Sequence, residues 1–494
     1  MKQKILFIYH EEGMESLAIE YLSATLKEKG HETDLIIEFV GEKDFKVRLK
    51  EKINEFKPDF IGFSVWSYNY LWACELSKYL KQISKAKIIF GGIHVTSCPE
   101  EVMKNKDIDY VVLGEGEETI IDIVENPDKK HIPGAWLRWG EDIIKNPMRR
   151  LLLDLDKLPI PDKEPFLKKA PYLREKYYCV VGRGCPFGCT FCFNNYMKKL
   201  YHGQKWVRKR SVNHVIKELE AMKKTGYKMI NFMDDCLTDN IKWLKEFKKE
   251  YVKHINIEFA GISHPAFLSD EVCKILKQTG CVRMQIGTQT PIESKRKEIC
   301  KRYDTNKMIQ IAVDNLKNNG IMVYVDHIFK LPKETVEEYQ EGLEFYINLK
   351  PDVFSCFVLQ YYPNIEITDI ALKEGILTEE MVKSLKLGQL PKNLTKEQIK
   401  KRLRDDQVSI FTSLKDPENK ELLNIYRFIH WIPVLPRFLS RFIVRKKLYP
   451  LFFADYLNKI PFLLKYLSKP FLIKEFFMTL NKKKILKEVR MKYG

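Results

Sequence analysis

The sequence predicts an α/β chain: a doubly wound, Rossmann-like N-terminal domain, a partial TIM-like (β/α)6 barrel, and a helical C-terminal extension. Three observations predict it. Five short apolar runs in the first 125 residues alternate with amphipathic stretches, and six more follow in the same rhythm from Tyr178. Beyond Leu372 the pattern is helical, and after Arg427 it is aromatic, basic and broken by prolines. The expected boundaries are 1–130 for the first domain, 131–172 for a linker with a hairpin, 173–371 for the barrel and 372–494 for the extension.

The first five runs, KILFIY, TDLIIEF, DFIGFSV, AKIIFGG and DYVVLGEGE, are apolar almost without interruption, as parallel strands covered on both faces must be. Helical patterns lie between them, for example Glu15 to Gly30, ended by glycine, and Tyr70 to Lys85. Such a β-α-β-α order builds a parallel sheet whose ligands bind at the strand carboxyl ends, and those ends are rich in Gly, Ser and His. A connector punctuated by Pro133, Pro147, Pro159, Pro161, Pro165 and Pro171 holds a hairpin around Trp136 to Ile144. In the second series YYCVVGR, MINFMDD, INIEFAG, VRMQIGTQ, MVYVDHIF and VFSCFVLQ are the strands, with helices such as Val212 to Thr225 and Asp270 to Thr279. Chemistry on a barrel of this kind sits at the carboxyl ends of its strands.

Composition narrows the class. At 494 residues the chain supports two or three separate cores. Its eleven Cys show no secretory framework, and Met1 to Tyr9 reads as a buried strand rather than a signal peptide, so a reducing, cytoplasmic setting is expected. No uninterrupted apolar run is long enough for a membrane span. The net charge of +18 is concentrated at one end: Arg427 to Gly494 holds sixteen Lys and Arg against Asp455, Glu475 and Glu488. The rest is near balance, which excludes a whole-protein nucleic-acid footprint.

The segment GRGCPFGCTFCFNN, residues 182–195, packs Cys185, Cys189 and Cys192 into eight positions. The spacing C-x3-C-x2-C suits neither one helix face nor one strand face, so the segment is a loop wrapped around something, and Gly182, Gly184 and Gly188 permit the tight path. Zinc wants four closed protein ligands, whereas a [4Fe–4S] cube held by three thiolates keeps one iron for an exogenous ligand. A zinc knuckle completed by Cys179 or His202 is the rival; cysteines without metal are the plain alternative.

With Phe191 before the last cysteine and β/α units following, the segment resembles the radical S-adenosylmethionine (SAM) superfamily. MINFMDDCLTDN resembles that superfamily's second strand with its acidic end, IGTQT the fourth-strand segment, and HIFKLPKET the fifth-strand turn, with Lys330 and Lys333 standing where the common form has Gly. The resemblance implies that Cys185, Cys189 and Cys192 hold the cluster. The free iron would take the amino and carboxylate groups of SAM, and an electron, from a donor such as flavodoxin or ferredoxin, would cleave it to methionine and a 5′-deoxyadenosyl radical. It further implies that Asp234 or Asp235 meets the amino group or ribose, Gln285 and Gln289 the methionine or ribose, and Phe191 the adenine through its backbone. The plain alternative for the Asp pair is a helix N-cap ahead of Asn240.

In the first domain, FSVWSYNY, FGGIHVTSCPEEV and LGEGEET are three strand ends offering small residues and hydroxyls to a ligand, and Gly91 and Gly92 allow close approach to the backbone. GGIHVTSCPEE and GEGEE resemble the cobalamin-binding domain of one large class of this superfamily, a likeness covering residues 1 to about 370. It implies that Ser64, Gly91, Gly92, His94, Gly114, Glu115 and Gly116 line the corrin or its nucleotide tail. The D-x-H-x-x-G signature that gives cobalt a histidine is absent, and His10 in H-E-E-G reads as a polar loop residue, so cobalt is expected without a protein histidine below it. The alternative is a domain that kept its fold and lost its corrin. For the whole chain the resemblance implies a methyltransferase acting on an unactivated carbon or phosphorus centre of a small-molecule or lipid-like substrate, one SAM methylating cobalt and a second supplying the radical. Its alternatives are a cyclase or rearrangement enzyme with or without cobalamin, and a zinc-stabilised binding protein.

The tail combines Phe, Leu, Trp and Tyr with Lys and Arg, a composition suited either to a helical cap over the barrel mouth or to peripheral contact with an anionic membrane. The repeated prolines favour the cap, with partial membrane contact. A cap would hide the apolar faces of Phe438, Phe442, Leu451 and Phe452.

Overall fold

A computed structural model of the chain describes residues 2–10, 13–39, 41–389 and 420–452. The first series runs β1 (Lys4–His10), α1 (Leu17–Glu28), β2 (Glu32–Glu38), α2 (Phe45–Phe56), β3 (Phe60–Ser64), α3 (Tyr70–Ile83), β4 (Lys87–Gly91), the short α4 (Ile93–Ser97) and α5 (Pro99–Met103), β5 (Tyr110–Val112) and α6 (Glu117–Glu125). Strands β1 to β5 are parallel in the order β2-β1-β3-β4-β5. The chain therefore leaves β1 towards both edges, and a ligand crevice opens at the carboxyl ends where the direction switches. Alternate strand residues feed different layers: Ile5, Phe7 and Tyr9 enter a core continuous with the barrel, while Leu6 and Ile8 enter the core on the opposite face. Burial on both sides is what makes the runs apolar without a break.

The hairpin β6 (Ala135–Trp139) and β7 (Asp142–Lys145), expected within a linker, is hydrogen-bonded onto β5 and completes a seven-stranded sheet as its antiparallel edge. Ala135 and Leu137 are buried there. A hairpin with that apolar face needs a sheet to lie on.

The second series begins after α7 (Glu164–Lys169) with β8 (Lys176–Cys179), β9 (Gly182–Arg183), α8 (Phe193–Leu200), β10 (Arg208–Lys209), α9 (Val212–Met222), β11 (Met229–Phe232), α10 (Ile241–His254), β12 (Phe259–Ser263) and α11 (Asp270–Thr279). It continues with β13 (Cys281–Gln289), α12 (Glu293–Glu298), α13 (Asn306–Asn318), β14 (Met322–Phe329), α14 (Val336–Leu349), β15 (Val353–Val358), α15 (Glu366–Lys373) and α16 (Glu379–Lys386). Six parallel strands stand in the order β8-β11-β12-β13-β14-β15, an open barrel wall. Side-chain caps start the outer helices: Ser211, Asn240, Ser269 and Thr305 each accept a backbone N–H of the first turn, and Thr335 with Glu338 closes a capping box on α14.

Buried ion pairs lock the two sheets together. The Lys163 ammonium reaches Glu15 at 2.5 Å and Glu20 at 2.9 Å, and Arg208 binds Glu115 with both nitrogens while also donating to the Leu152 carbonyl. Burial pushes the Glu20 carboxyl up, with the Lys163 charge opposing it. Such pairs earn little net stability yet fix one orientation, since any misalignment strands a charge in the interior.

The tail helices Lys420–Ile429 and Arg437–Arg445 pack against α14, on the outer flank of the barrel rather than over its mouth. Ile425, Phe428, Ile429 and Ile432 are buried in that contact. The cap expectation is corrected in one respect: Phe438, Phe442 and Leu451 point to solvent, because the helix turns its Ser440 and Ile443 side towards the barrel. The Phe452 side chain and residues 453–494 lie outside the described residues. Among the described residues no helix is long and apolar enough to cross a membrane.

Candidate functional site

The cysteine loop leaves β9 at the carboxyl end of the first barrel strand. β9 pairs with β10, Arg183 opposite Arg208, and Gly184 turns out of that ladder at φ +89°, where a Cβ would lie 2.4 Å from the Trp206 carbonyl oxygen. No other residue fits. The far end is stitched down by Thr190, whose hydroxyl donates to Ile299 O at 2.6 Å and whose N–H donates to Cys300 O. Cys192 then opens α8. Phe187 stacks on His264 at 3.6 Å, and Phe191 and Phe193 pack with Ile299, Ile328, Leu359 and Ile367.

Cys185, Cys189 and Cys192 are half-buried neighbours on this loop. Burial pushes the thiols up, to about 12 at Cys185 and about 11 at Cys189, where the Arg302 charge works the other way, and Cys192 is raised for the same reason. Thiolates there need a cation in front of them, which iron supplies. Among the described residues no three His, Cys, Asp or Glu side chains converge on a point one metal ion could occupy. The completing ligands that a zinc knuckle would use are elsewhere: Cys179 is buried with its sulfur 3.6 Å from the Glu218 carboxylate, and His202 is exposed. Among the described residues neither Cys179 nor His202 joins the three loop thiols, and three thiolates are the donor set of such a cluster.

The polar residues expected around SAM divide. Asp234 is buried, accepts the N–H groups of Val181 and Gly182 (2.7 Å to the latter), and so ties β9 to the end of β11; burial lifts its carboxyl to about 6. Asp235 stands open to the loop, interacting with Asn194 and raising the Cys185 and Cys192 thiols by its charge. The helix cap ahead of α10 is Asn240 itself. Gln285 donates to Asp326 Oδ1 at 2.8 Å. Gln289 sits at φ +66° where the β13–β14 register shifts, its amide folded over Gly287. Lys330 and Lys333, at the glycine positions of the fifth-strand turn, both adopt φ +63°. The lysines hold the glycine conformation, stabilised by Lys330 N–H donating to the Tyr339 hydroxyl at 2.6 Å and by a Lys333–Glu374 ion pair.

Three residues absent from the sequence-based set face the same mouth. Arg302 is clasped by Asp304 and donates to Gly287 O at 2.8 Å, directing its charge at Cys189 and Asp326. Asp326 was legible as a carboxylate inside the apolar run MVYVDHIF; Arg302 and Asp304 lie in a loop with no pattern to mark them. Burial raises the Asp326 carboxyl to about 7 against the opposing pull of Gln285 and Arg302. The folded chain thus holds that proton more tightly than the unfolded one, so this group's contribution to stability is fullest below about pH 4 and is lost as pH rises from about 4 through about 7. Asp326→Asn keeps an acceptor for Gln285 and removes this fall. The expected result is a gain over the parent of about 2–3 kcal/mol between pH 5 and pH 7.5, read from denaturant unfolding of the cofactor-free chain.

The N-terminal strand ends meet this mouth. Ser64 and Gly91 are register partners at the ends of β3 and β4. Gly92, at φ +105°, brings its backbone against Val65, where a Cβ would lie 2.7 Å from both N and O. His94 is fully buried, its Nδ1 2.9 Å from Ser67 Oγ and its ring against Tyr70, and burial lowers it to about 4, hence neutral. His10 packs on Trp72 and faces Glu38. Gly114 and Glu115 serve domain docking: Gly114 lies against the Tyr201 hydroxyl, Glu115 N–H donates to that oxygen, and the Glu115 carboxylate pairs with Arg183 and Arg208, whereas Gly116 packs against Val112 and Leu22 of its own domain. Asn364 donates to Ser97 O at 2.5 Å across the same seam. Beside Gly91, where a Cβ would meet only Val112 at ordinary contact distance, Trp66, Tyr68 and Leu71 are exposed. A flat glycine floor with an apolar aromatic rim fits a large planar ring.

Residues 4–124 match the B12 binding domain model and residues 179–346 the Radical SAM superfamily model. The anaerobic magnesium-protoporphyrin IX monomethyl ester cyclase of Rubrivivax gelatinosus is 24% identical over 73% of this chain and 68% of its own length; for that of Cereibacter sphaeroides the chain spans 62% of the relative, again at 24% identity. The cytidylyl-2-hydroxyethylphosphonate methyltransferase of Streptomyces wedmorensis is 22% identical, covering 74% of this chain and 79% of its own. Among solved structures, the cobalamin-dependent SAM radical enzyme OxsB, with aqua-cobalamin and SAM bound, superposes on all of this chain and 84% of its own with TM-score 0.68 at 15% identity. The radical SAM methyltransferase TsrM from Kitasatospora setae, with cobalamin and a [4Fe-4S] cluster bound, matches 76% of this chain and 75% of its own with TM-score 0.63 at 17% identity. With both domain models matched in order, and a cysteine loop and a glycine-floored sheet end brought to one mouth, the chain belongs to the B12-binding-domain-containing radical SAM superfamily.

Proposed function

We propose that this chain is a cobalamin-dependent radical SAM methyltransferase that methylates an unactivated carbon or phosphorus centre of a small molecule. The observation that carries this is the meeting of the two cofactor-type surfaces at one seam, with Tyr201 and Asn364 of the barrel bonded to the N-terminal strand ends. Relatives bearing methyltransferase names, among them the phosphonate enzyme, support the same reading. When bound, the cluster and cobalamin supply one-electron reduction and methyl carriage.

The chain's own residues do the rest. Cys185, Cys189 and Cys192 would ligate three irons of the cluster; Arg302 offsets the negative charge gathered beside Cys189. Asp235 and Gln285 bind polar groups of SAM, while Phe191 sets the loop backbone for the adenine from its seat in the apolar cluster. Asp234 holds β9 and hence the loop's starting direction. Ser64, Gly91 and Gly92 would form the floor for the corrin, and the turn through Gly114 and Glu115, docked on Tyr201, would close its edge. A flavodoxin or ferredoxin delivers the electron.

A cyclase reading is favoured by one observation, the cyclase relatives of Rubrivivax and Cereibacter. Anaerobic turnover with methyl-labelled SAM and a reductant separates the two. The expected products are 5′-deoxyadenosine, S-adenosylhomocysteine and a labelled methyl on the substrate. 5′-Deoxyadenosine without S-adenosylhomocysteine or label overturns methylation in favour of cyclisation, and a colourless, zinc-loaded chain overturns both.

A further inference from the structure

The Arg437–Arg445 helix is mounted with aromatic rings on its outer side. Its rotation is fixed by bonds to the barrel: Arg441 donates to Glu344 and to the Asn348 side chain, each at 2.6 Å, Arg437 donates to Asn348 O at 3.0 Å, and Lys350 donates to Leu435 O at 3.1 Å. Ser440 and Ile443 are buried on that side. At 100° per residue, Phe438, Phe442 and Arg445 then form one stripe opposite the buried face. The exposures agree: Phe438 is 75%, Phe442 52% and, in the turn that follows, Leu451 64% exposed. Arg445, Lys446 and Lys447, all exposed, stand at the carboxyl end of the same stripe.

We propose that this face docks the chain onto an anionic membrane surface, Phe438, Phe442 and Leu451 entering the interfacial layer and Arg445, Lys446 and Lys447 meeting lipid phosphates. Charge selects the occupant. The segment from Arg427 to the end carries sixteen cations against three acids in a chain that is otherwise close to balanced, and a basic rim around buried-type side chains is what an in-plane helix presents to anionic lipid. A nine-residue helix is too short to span a bilayer and the right size to lie on one. The bonds to α14 hold the rings outward beforehand, so docking requires no rearrangement of the barrel. The proposal stands apart from the reaction performed at the barrel mouth.

Co-sedimentation of the full chain with vesicles of phosphatidylcholine, alone and mixed with phosphatidylglycerol, tests it. Binding to the mixed vesicles at low salt is expected, weakening as salt is raised. Arg445→Gln/Lys446→Gln/Lys447→Gln is expected to lower the partition coefficient about 100-fold, about fivefold per cation. Phe438→Ser/Phe442→Ser is expected to lower it about tenfold or more while leaving the melting temperature unchanged, because both residues are more than half exposed. Absence of binding to the mixed vesicles at low salt overturns the proposal. Binding that is indifferent to the Phe pair overturns this face as the docking site, and a lower melting temperature in that variant overturns it by showing that the chain itself covers the rings.

Discussion

Alanine at any one of Cys185, Cys189 and Cys192 is expected to abolish cluster assembly and 5′-deoxyadenosine formation together, iron falling from about four atoms per chain to under about one. Each supplies one of only three thiolates, and the loop has no spare: Thr190 and Cys192 are tied to Cys300 and to the start of α8, so a neighbouring sulfur cannot slide into the gap. The informative controls are the two buried cysteines nearest in role. Cys179 faces Glu218 of the outer helix α9. Cys236 lies close enough to raise the Cys185 thiol, yet is buried with its sulfur 3.8 Å from Ser263 Oγ. Cys179→Ala and Cys236→Ala are therefore expected to keep their iron and the broad absorbance near about 400 nm expected of thiolate-bound iron. Iron lost from Cys236→Ala but retained in one of the loop variants would sink the ligand assignment.

How much of this was legible beforehand depends on whether a residue's role is carried by local pattern or by packing. The strands were legible because burial on both faces forces unbroken apolar runs, and the cysteine loop because its spacing is incompatible with regular structure. The hairpin β6–β7 is legible as a hairpin but not as part of the sheet, since pairing to β5 is a long-range event that no turn signal encodes. The sequence marks the Asp pair but does not divide it: only the fold shows Asp234 turned to the Val181 and Gly182 amides and Asp235 turned to the thiols. Arg302 escaped altogether. Its loop has no periodicity, and it acquires its position from Asp304 in the same loop and from Gly287 O on β13, a pairing that no local pattern encodes.

The tail shows the converse. Its composition is aromatic and basic, but composition does not say which side of a helix faces the protein. Arg441 decides that by pairing with Glu344, 97 residues earlier, and thereby turns Phe438 and Phe442 outward. The same cation count would be compatible with a cap had the rotation differed by half a turn.

Two adjacent glycines allow the corrin floor to be tested apart from the fold. Gly92→Ala is expected to destabilise the N-terminal domain by about 2–5 kcal/mol: an L side chain at φ +105° is strained, and its Cβ would lie 2.7 Å from Val65 N and O. That backbone cannot yield, because Val65 N–H donates to Gly91 O at 2.8 Å and Val65 O accepts from His94 N–H. Relief would require parting the ends of β3 and β4, and with them the whole crevice. Gly91→Ala meets no such obstacle. Its backbone is not in the left-handed region, and its Cβ would find Val112 at 3.7 Å, an ordinary contact, so stability should stay within about 0.5 kcal/mol of the parent. The new methyl points instead into the space proposed for the ring, and there it should cost about tenfold in cobalamin affinity. Thermal melting of the cofactor-free chain and corrin absorbance retained after dialysis read the two effects separately. Gly92→Ala should fail both, Gly91→Ala only the second; a Gly91→Ala chain that retains corrin like the parent would show that the ring does not lie over the end of β4.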